Sequence, residues 1–248
     1  MSNGLHQPPW LAHRQREAEW MDEDEVDPRE LRRSLRFIRW VNRLFGYTWA
    51  TLSHLERFSA RWKQGERIEI LDVATGSADV PLAIVRWGER RGFDVRVVGV
   101  DLHAKTVEAA RQATAQEPRI RIVQADALCL PFDHDSFDYT VCSMFLHHLS
   151  DDEAVVVLRA MGGLARRGVI AADLLRHRRA FAWIWLLTLA ANPIVRHDAL
   201  VSIRQAFSKP EVLGLRQHAG LGFADYHRHF AHRFVLAGEK ASFSTVAD

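Results

Sequence analysis

The stretch RIEILDVATGSADVP, residues 67–81, decides the fold. Ile68, Ile70 and Leu71 are β-branched or bulky apolar residues that end at Asp72, which is the pattern of a buried parallel strand. A turn of small residues, 73–78, comes next, and helical spacing begins at Asp79. A strand, a tight turn and a helix form the first unit of a nucleotide-binding α/β sheet, in which the backbone approaches a ligand closely.

The turn lacks the glycine pattern of dinucleotide-binding proteins. Two of the expected glycines are Ala74 and Ala78, and only Gly76 remains. This difference argues against a pyrophosphate ligand, which needs closer backbone approach and more free amides. A second predicted strand, 95–100, is followed by Asp101, where an acid would meet ribose hydroxyls.

Strand and helix patterns alternate through most of the remaining chain. The predicted strands are 68–72, 95–100, 120–124, 137–143 and 168–172, with helices at 80–91 and 104–116 and two capping boxes, at Ser150–Glu153 and Ser208–Glu211. Residues 223–229 and 232–238 predict two closing strands, an antiparallel pair. The expected fold is α/β: a Rossmann-like, doubly wound, mostly parallel sheet with an antiparallel C-terminal strand and helical lid elements.

Four segments are expected along the chain. Residues 1–26 predict a disordered or loosely ordered tail, and residues 27–66 an N-terminal helical cap with a helix at 48–62. Residues 67–240 form the main domain. Within it, residues 174–207 depart from the alternation and are rich in aromatic side chains, so we expect a lid inserted above the strand ends.

Composition excludes several classes of protein. The 33 basic residues are balanced by 31 acidic ones, which disfavours a nucleic-acid partner. The 2 cysteines have no metal-site spacing, so no metal and a reducing compartment are expected. No secretion signal is visible, and the longest apolar run, 181–195, is shorter than the roughly 20 residues of a bilayer span. We therefore predict a cytoplasmic monomer or homodimer without stable membrane insertion.

The order of these motifs resembles the class I S-adenosylmethionine-dependent methyltransferases, over residues 68–238. LDVATGSADVP is similar to the first motif of the ubiquinone and menaquinone C-methyltransferase group. VGVDLH, QADALCLPF, FDYTVCSMFLHHL and VIAADL resemble the later motifs of the class in order and spacing. VDPRELRRSLRFIRWVNR and RHDALVSIRQAF also resemble methyltransferases of bacterial polyketide and quinone pathways.

The resemblance implies S-adenosylmethionine as cofactor and assigns its contacts. Asp101 would accept hydrogen bonds from both ribose hydroxyls, although a helix N-cap is an alternative role for it. Gly76 would let the cofactor lie against the turn, and Asp72 would orient that turn or face the sulfonium. Asp126 would contact the adenine amino group or, alternatively, cap its own loop. The remaining candidate contacts are Leu102 and Ala127, on the two faces of the adenine, with Ala74 and Ser143.

Transfer to a hydroxyl needs a general base. His147, Asp173 and His197 fall at predicted strand ends or in the lid and are the catalytic candidates. His197, which precedes Asp198, is the preferred base, because a free imidazole accepts a proton near neutrality. Tyr47, Trp183 and Arg204 are candidates for orienting the substrate.

The expected activity is methylation of a small aromatic acceptor, since the predicted lid is apolar and aromatic. O-methylation of a phenol or quinol in secondary or quinone-like metabolism is the first hypothesis. C-methylation of a quinol ring and a non-catalytic cofactor-binding protein are the alternatives. A nicotinamide dehydrogenase is disfavoured by the alanine-substituted turn.

Overall fold

The computed structural model of the protein describes residues 9–15, 17, 20, 47–189, 191, 193–230 and 232–241. Most of the predicted tail, the first part of the predicted cap and the side chain of Tyr47 lie outside these residues.

A single seven-stranded sheet organises the described chain. Its strands are β1 Arg67–Val73, β2 Asp94–Asp101, β3 Ile120–Gln124, β4 Phe137–Ser143, β5 Ala165–Leu174, β6 Asp225–His229 and β7 Arg233–Glu239. The spatial order is β3-β2-β1-β4-β5-β7-β6, and β7 runs antiparallel to both of its neighbours while the other pairs are parallel. The predicted fold class is confirmed.

Helices cover both faces of the sheet. They are α1 Pro9–Ala12, α2 Tyr47–Ser59, α3 Asp79–Arg91, α4 Ala104–Thr114, α5 Asp151–Leu164, α6 Arg178–Leu187, α7 Pro193–Gln205 and α8 Lys209–His218, with a 3₁₀ turn at Leu146–His148. Helices α2, α3 and α4 pack on one face, and α5 and α8 pack on the other. None of these helices is long and apolar enough to cross a membrane.

Strand β1 is buried on both faces, which explains its nearly continuous apolar sequence. Ile68 and Ile70 belong to the cluster under α2 and α3, whereas Leu71 and Val73 belong to the cluster under α5. The strand lies between β2 and β4, where the strand order reverses. Ligands of such sheets bind at the carboxyl edge beside this reversal.

The capping box at the start of α5 is confirmed. The Ser150 backbone N–H donates to Glu153 Oε2 at 2.7 Å, and the Glu153 N–H donates to Ser150 Oγ at 3.2 Å. Strand β5 is longer than predicted because β7 pairs with it as far as Leu174. The second predicted capping box is present at the start of α8.

Helices α6 and α7 occupy the segment predicted to be a lid. Leu174 at the end of β5 packs with Ala180 of α6 and with Ile203 and Ala206 at the end of α7. The partly buried Met144, which follows β4, joins this small cluster. The two helices therefore lie over the carboxyl ends of β4 and β5.

Residues 9–15, 17 and 20, called here the N-terminal strap, pack against the fold. Leu11 is buried, and its carbonyl accepts a hydrogen bond of 3.0 Å from the buried Arg176 guanidinium. Arg14 donates to the Leu149 carbonyl at 2.7 Å and lies 3.7 Å over the Phe207 ring. The buried Arg176 guanidinium requires acceptors, and the carbonyls of Leu11 and Ala12 in the strap provide two of them. The predicted character of the tail as a whole stays a prediction.

Candidate functional site

The turn after β1 is held in an unusual backbone conformation. Ala74, Gly76 and Ala78 all have positive φ angles, of 57°, 53° and 62°. The Thr75 N–H donates to the Val100 carbonyl at 2.8 Å, and Thr75 Oγ1 donates to Asp72 Oδ2 at 2.7 Å. The two alanines thus adopt the left-handed conformation that favours glycine, at roughly 1–2 kcal/mol each. Threonine hydrogen bonds offset this cost.

Asp101 contacts the turn from the end of the neighbouring strand. Its Oδ2 accepts a hydrogen bond of 3.0 Å from the Gly76 N–H, and its Oδ1 accepts one of 3.2 Å from the His103 N–H just before α4. A carboxylate oxygen has two lone pairs, so each oxygen can accept a second bond from a ligand. Asp101 therefore caps the loop before α4 and faces the ligand edge at the same time.

Asp72 is buried beneath the turn, with 1 % of its surface exposed. Burial raises the pKa of Asp72 to about 7, and the neighbouring Asp101 charge adds to this shift, while the Thr75 hydrogen bond opposes it. A cation bound at this edge would favour the ionised carboxylate. Asp72 thus contacts the turn through Thr75, and its role toward a cofactor stays a prediction.

The loops after β2 and β3 lie together at the same edge. The Ala125 N–H donates to the Asp101 carbonyl at 3.0 Å, which fixes one loop against the other. The Asp126 side chain is exposed, and its Oδ1 accepts a bond of 2.9 Å from the Leu128 N–H. Leu102 is 53 % exposed, whereas Ala127 is buried. Asp126 caps its own loop through Oδ1. No hydrogen bond to its Oδ2 is seen among the described residues.

The predicted contact Ser143 lies at the end of β4. Its Oγ is 3.0 Å from Thr51 Oγ1 of α2. This bond attaches α2 to the ligand edge, and sequence reasoning did not anticipate Thr51.

His147 and Asp173 form a buried pair, although 26 residues separate them. Asp173 Oδ1 lies 2.7 Å from His147 Nδ1, and Asp173 Oδ2 accepts a bond of 2.9 Å from the His147 N–H. Asp173 also accepts a bond of 2.6 Å from the Leu174 N–H. His147 is 3 % exposed and Asp173 1 %. These contacts fix the turn after β4 and do not present the Asp173 carboxylate to an acceptor.

His197 and Asp198 form a second pair, on α7. His197 Nδ1 lies 3.0 Å from Asp198 Oδ1, and 21 % of the His197 side chain is exposed. The imidazole stacks on the Trp20 ring with centroids 3.9 Å apart, and the Trp20 N–H donates to Asp198 at 2.8 Å. His197 Nε2 is 3.8 Å from Glu17 Oε1. The N-terminal strap therefore covers this pair, a contact that no local sequence signal could indicate.

Two of the three predicted substrate-orienting residues have side chains that the structure describes. Trp183 is 54 % exposed on the outer side of α6. Arg204 donates to Glu17 Oε2 at 3.0 Å and so faces the N-terminal strap. The Tyr47 side chain lies outside the described residues.

The edge beside the turn suits a nucleoside-type cofactor. A Cβ added to Gly76 would meet nothing within 4 Å, so open space lies in front of the turn. The half-exposed Asp101 carboxylate borders this space through its bond to Gly76. Exposed Leu102 offers an apolar surface on the adjoining loop. The residues present thus fit S-adenosylmethionine, which needs a ribose acceptor and apolar contact for adenine.

Comparison with known proteins finds a family profile whose match includes Gly76, Asp101 and Leu102. Residues 70–168 match the profile of the methyltransferase domain. Similar proteins include the demethylmenaquinone methyltransferase of Staphylococcus epidermidis, 37 % identical over 81 residues, and that of Staphylococcus carnosus, 30 % identical over 116 residues. These matches cover 33 % and 47 % of this chain, and 32 % and 45 % of the relatives. The chain thus spans less than half the length of these curated relatives.

Solved structures share the fold at low sequence identity. The methyltransferase SibL has a TM-score of 0.61 at 15 % identity, covering 86 % of this chain and 60 % of SibL. An S-adenosylmethionine-dependent methyltransferase from Aquifex aeolicus has a TM-score of 0.52 at 15 % identity, covering 74 % of this chain and 88 % of that one. Residues 70–168 thus match a methyltransferase-domain profile, and the described chain shares the Rossmann-like fold of these solved methyltransferases.

Proposed function

We propose that this chain is an S-adenosylmethionine-dependent methyltransferase that transfers the methyl group to a hydroxyl of a small aromatic acceptor, a phenol or a quinol. The observation that carries the proposal is the open space in front of Gly76, bordered by the Asp101 carboxylate. The lid helices cover the neighbouring ends of β4 and β5, where an acceptor would meet the cofactor.

Four residues would hold the cofactor in this proposal. Asp101 would accept from the ribose hydroxyls, and Leu102 would contact the adenine face. Asp126 would use its second carboxylate oxygen for the adenine amino group. Asp72 would supply negative charge beneath the turn. When bound, the cofactor supplies an already activated methyl group, so the protein needs mainly to align the acceptor and remove its proton.

His197 is the proposed base. Of the two His–Asp pairs in the described part of the chain, only this one has a partly exposed imidazole. Asp198 holds Nδ1, so Nε2, which faces Glu17 of the strap at 3.8 Å, would take the hydroxyl proton as the acceptor oxygen attacks the methyl carbon, with the strap displaced from it. The electron pair of the broken carbon–sulfur bond stays on sulfur. The His147–Asp173 pair is proposed as a positioning pair that fixes the turn beneath the acceptor.

C-methylation of a quinol ring is a second candidate, favoured by the names of the Staphylococcus relatives. The same base would remove the ring hydroxyl proton, and a ring carbon would then attack the methyl group. The carbon–carbon bond forms as the carbon–sulfur bond breaks, and the ring later loses the proton from that carbon. Only the product distinguishes the two reactions.

Binding of the cofactor product tests the cofactor site. Asp101→Ala removes charge-assisted hydrogen bonds and should weaken S-adenosylhomocysteine binding by about tenfold or more in calorimetry. Asp94→Ala is the matched control, because Asp94 begins the same strand at the opposite edge of the sheet. Unchanged affinity in a folded Asp101→Ala protein, or tighter binding of NAD, would contradict the proposed site.

Product analysis tests the acceptor class. The protein is incubated with S-adenosylmethionine and a panel of phenols and quinols, and products are identified by mass spectrometry and NMR. A methoxy product supports O-methylation, and a ring-methyl product supports the alternative. S-adenosylhomocysteine binding without turnover of any aromatic acceptor would refute the proposed acceptor class.

A further inference from the structure

Large apolar side chains are exposed on α6, just after it, and in the turn between β6 and β7. These residues, called here the lid patch, are Trp183, Trp185, Leu186, Leu189 and Phe230, which are 54, 44, 56, 48 and 75 % exposed. Phe230 lies in the turn between β6 and β7, and the stacked rings of His177 and His232, 5.1 Å apart, join that turn to the start of α6.

The lid patch does not pack into the core of the described protein. Ala180 is the one fully buried residue of α6. A helix that is apolar on nearly all sides is ordinarily enclosed by protein or lipid. Exposed apolar patches of this kind mark surfaces that bind a partner.

Four arginines lie on the elements that carry the lid patch or adjoin it. Arg178 and Arg179 begin α6, and Arg228 lies on β6 next to the Phe230 turn. The Arg196 guanidinium lies 5.7 Å from the centre of the Trp185 ring. Among the described residues, none of these four arginines forms a salt bridge with a carboxylate. Burial is the main cause that lowers the pKa of His232 to about 4, and the neighbouring His177, Arg228 and Arg179 add to the shift.

We propose that the lid patch docks on the surface of an anionic lipid bilayer. Exposed indole rings beside arginines, with aliphatic side chains between them, match the boundary between acyl chains and phosphate headgroups. Arginines without a carboxylate partner among the described residues can bind anionic headgroups, and a second copy of the same surface would oppose arginines to arginines. The docking is peripheral, because none of the described helices can span a bilayer.

This surface adjoins the acceptor side of the proposed site. Leu174, Ala180 and the partly buried Met144 form one cluster, so the inner side of α6 rests on the ends of β4 and β5. A docked protein would turn this edge toward the membrane. The docking itself does not require the acceptor proposed above, and its test contains no methyl transfer.

Vesicle co-sedimentation tests the docking. The full chain is mixed with vesicles of phosphatidylcholine alone or with phosphatidylglycerol. It should bind the anionic vesicles at low salt and lose most binding at high salt, since exposed charges are screened. Trp185→Ala with Leu186→Ala should reduce binding by about tenfold or more. The control, Val156→Ala with Leu213→Ala, removes comparably exposed apolar side chains from α5 and α8 and should bind as the parent does.

The arginines are tested separately, in case the apolar variant fails to fold. Arg178→Gln with Arg179→Gln should weaken binding to anionic vesicles by about fivefold for each charge removed. Arg86→Gln with Arg90→Gln, on exposed positions of α3, is the charge-matched control. The proposal is overturned if the parent chain binds no vesicle, or if both lid-patch variants bind as the parent does. A dimer in analytical ultracentrifugation that Trp185→Ala dissociates would also overturn it in favour of a second copy.

Discussion

The two His–Asp pairs of this protein have similar imidazole–carboxylate contacts, but one pair is buried and the other has a partly exposed imidazole. His147 and Asp173 meet across 26 residues, at the ends of adjacent strands, and both are buried. His197 and Asp198 are neighbours in the sequence, and their imidazole keeps 21 % of its surface exposed. The first pair depends on the whole sheet, whereas the second needs only one helix.

In the function proposed above, the first pair has a structural role and the second a chemical one. Asp173 accepts hydrogen bonds from the backbone of His147 and Leu174 as well as from the imidazole, so the pair fixes the shape of a turn. Burial alone would raise the pKa of Asp173, but the His147 charge and these hydrogen bonds lower it below its ordinary value. A base must reach solvent and substrate. The adjacent, partly exposed pair meets that requirement better.

The largest expected effect is on the catalytic rate, and it should differ between the two His–Asp pairs. His197→Gln should lower kcat by about 10²–10⁴, because a positioned base is lost. Raising the pH should partly restore the rate, since a phenol ionises unaided near its pKa of about 10. Steady-state kinetics from pH 6 to pH 10 measure both effects, with Asp198→Asn expected to lose less.

The same substitution at the buried pair is the control for this assignment. His147→Gln should retain more of kcat than His197→Gln in the fraction that folds. A parent rate for His197→Gln together with an inactive, folded His147→Gln would move the base to the other pair.

The second expected effect is on the free energy of unfolding, and it should also differ between the two pairs. His147→Ala leaves the buried Asp173 carboxylate without its imidazole and should lower the free energy of unfolding by about 3–5 kcal/mol. His197→Ala removes a partly exposed contact and should lower it by about 1 kcal/mol. Urea unfolding followed by circular dichroism measures both. Equal losses would show that burial does not distinguish the pairs.

A smaller effect tests the lowered pKa of the Asp173 carboxylate. A carboxylate whose folded pKa is lowered stabilises the fold above the unfolded pKa of about 3.9, and this contribution disappears as the pH falls through the folded pKa. Asp173→Asn should therefore cost about 1–3 kcal/mol at pH 7 and progressively less in acid. Unfolding curves from pH 3 to pH 7 test this, and a pH-independent difference would contradict it.

Asp72 supplies the matched opposite case at the same edge of the sheet. Its carboxylate is also buried, but its partner is a threonine hydroxyl, and its pKa is raised to about 7. The stability of the parent should fall as the pH rises from about 4 to about 7, because only the folded state retains the proton. Asp72→Asn should remove this decline, in contrast to Asp173→Asn.

The smallest expected effect concerns the cover over the second pair. Trp20 stacks on His197 at 3.9 Å with an angle of 8° between the rings. A double-mutant cycle with Trp20→Ala and His197→Ala should give a coupling of about 0.5–1.5 kcal/mol in unfolding experiments. A coupling near zero would show that the stacked ring does not hold the imidazole.

The sheet was predictable because each strand has a local pattern. Residues 120–124 and 137–143 were predicted with the bounds that the structure shows, and Asp101 was predicted at the end of β2. The strap was not predictable, since its contacts join residues such as Leu11 and Arg176 across 165 positions. Local periodicity contains no information about such a pairing.

The candidate site divides in the same way. The turn at Gly76 could be predicted from the sequence because small residues directly follow a strand pattern. Thr75, three residues after Asp72, offered a local signal for the turn that was missed. The exposure of Trp183 could not be predicted from the sequence, because an aromatic, apolar segment can be either buried or exposed. The roles of His147, Asp173 and His197 remain predictions.

The strap also fixes the order in which its side of the sheet can be completed on the ribosome. Arg176, the guanidinium partner of Leu11, is made 165 residues after it. At ordinary translation rates that delay is on the order of 10–30 s. The nascent chain can pair β1 with β2 long before the partner of the strap has been made. During synthesis the pairing of β1 with β2 can therefore precede the docking of the strap.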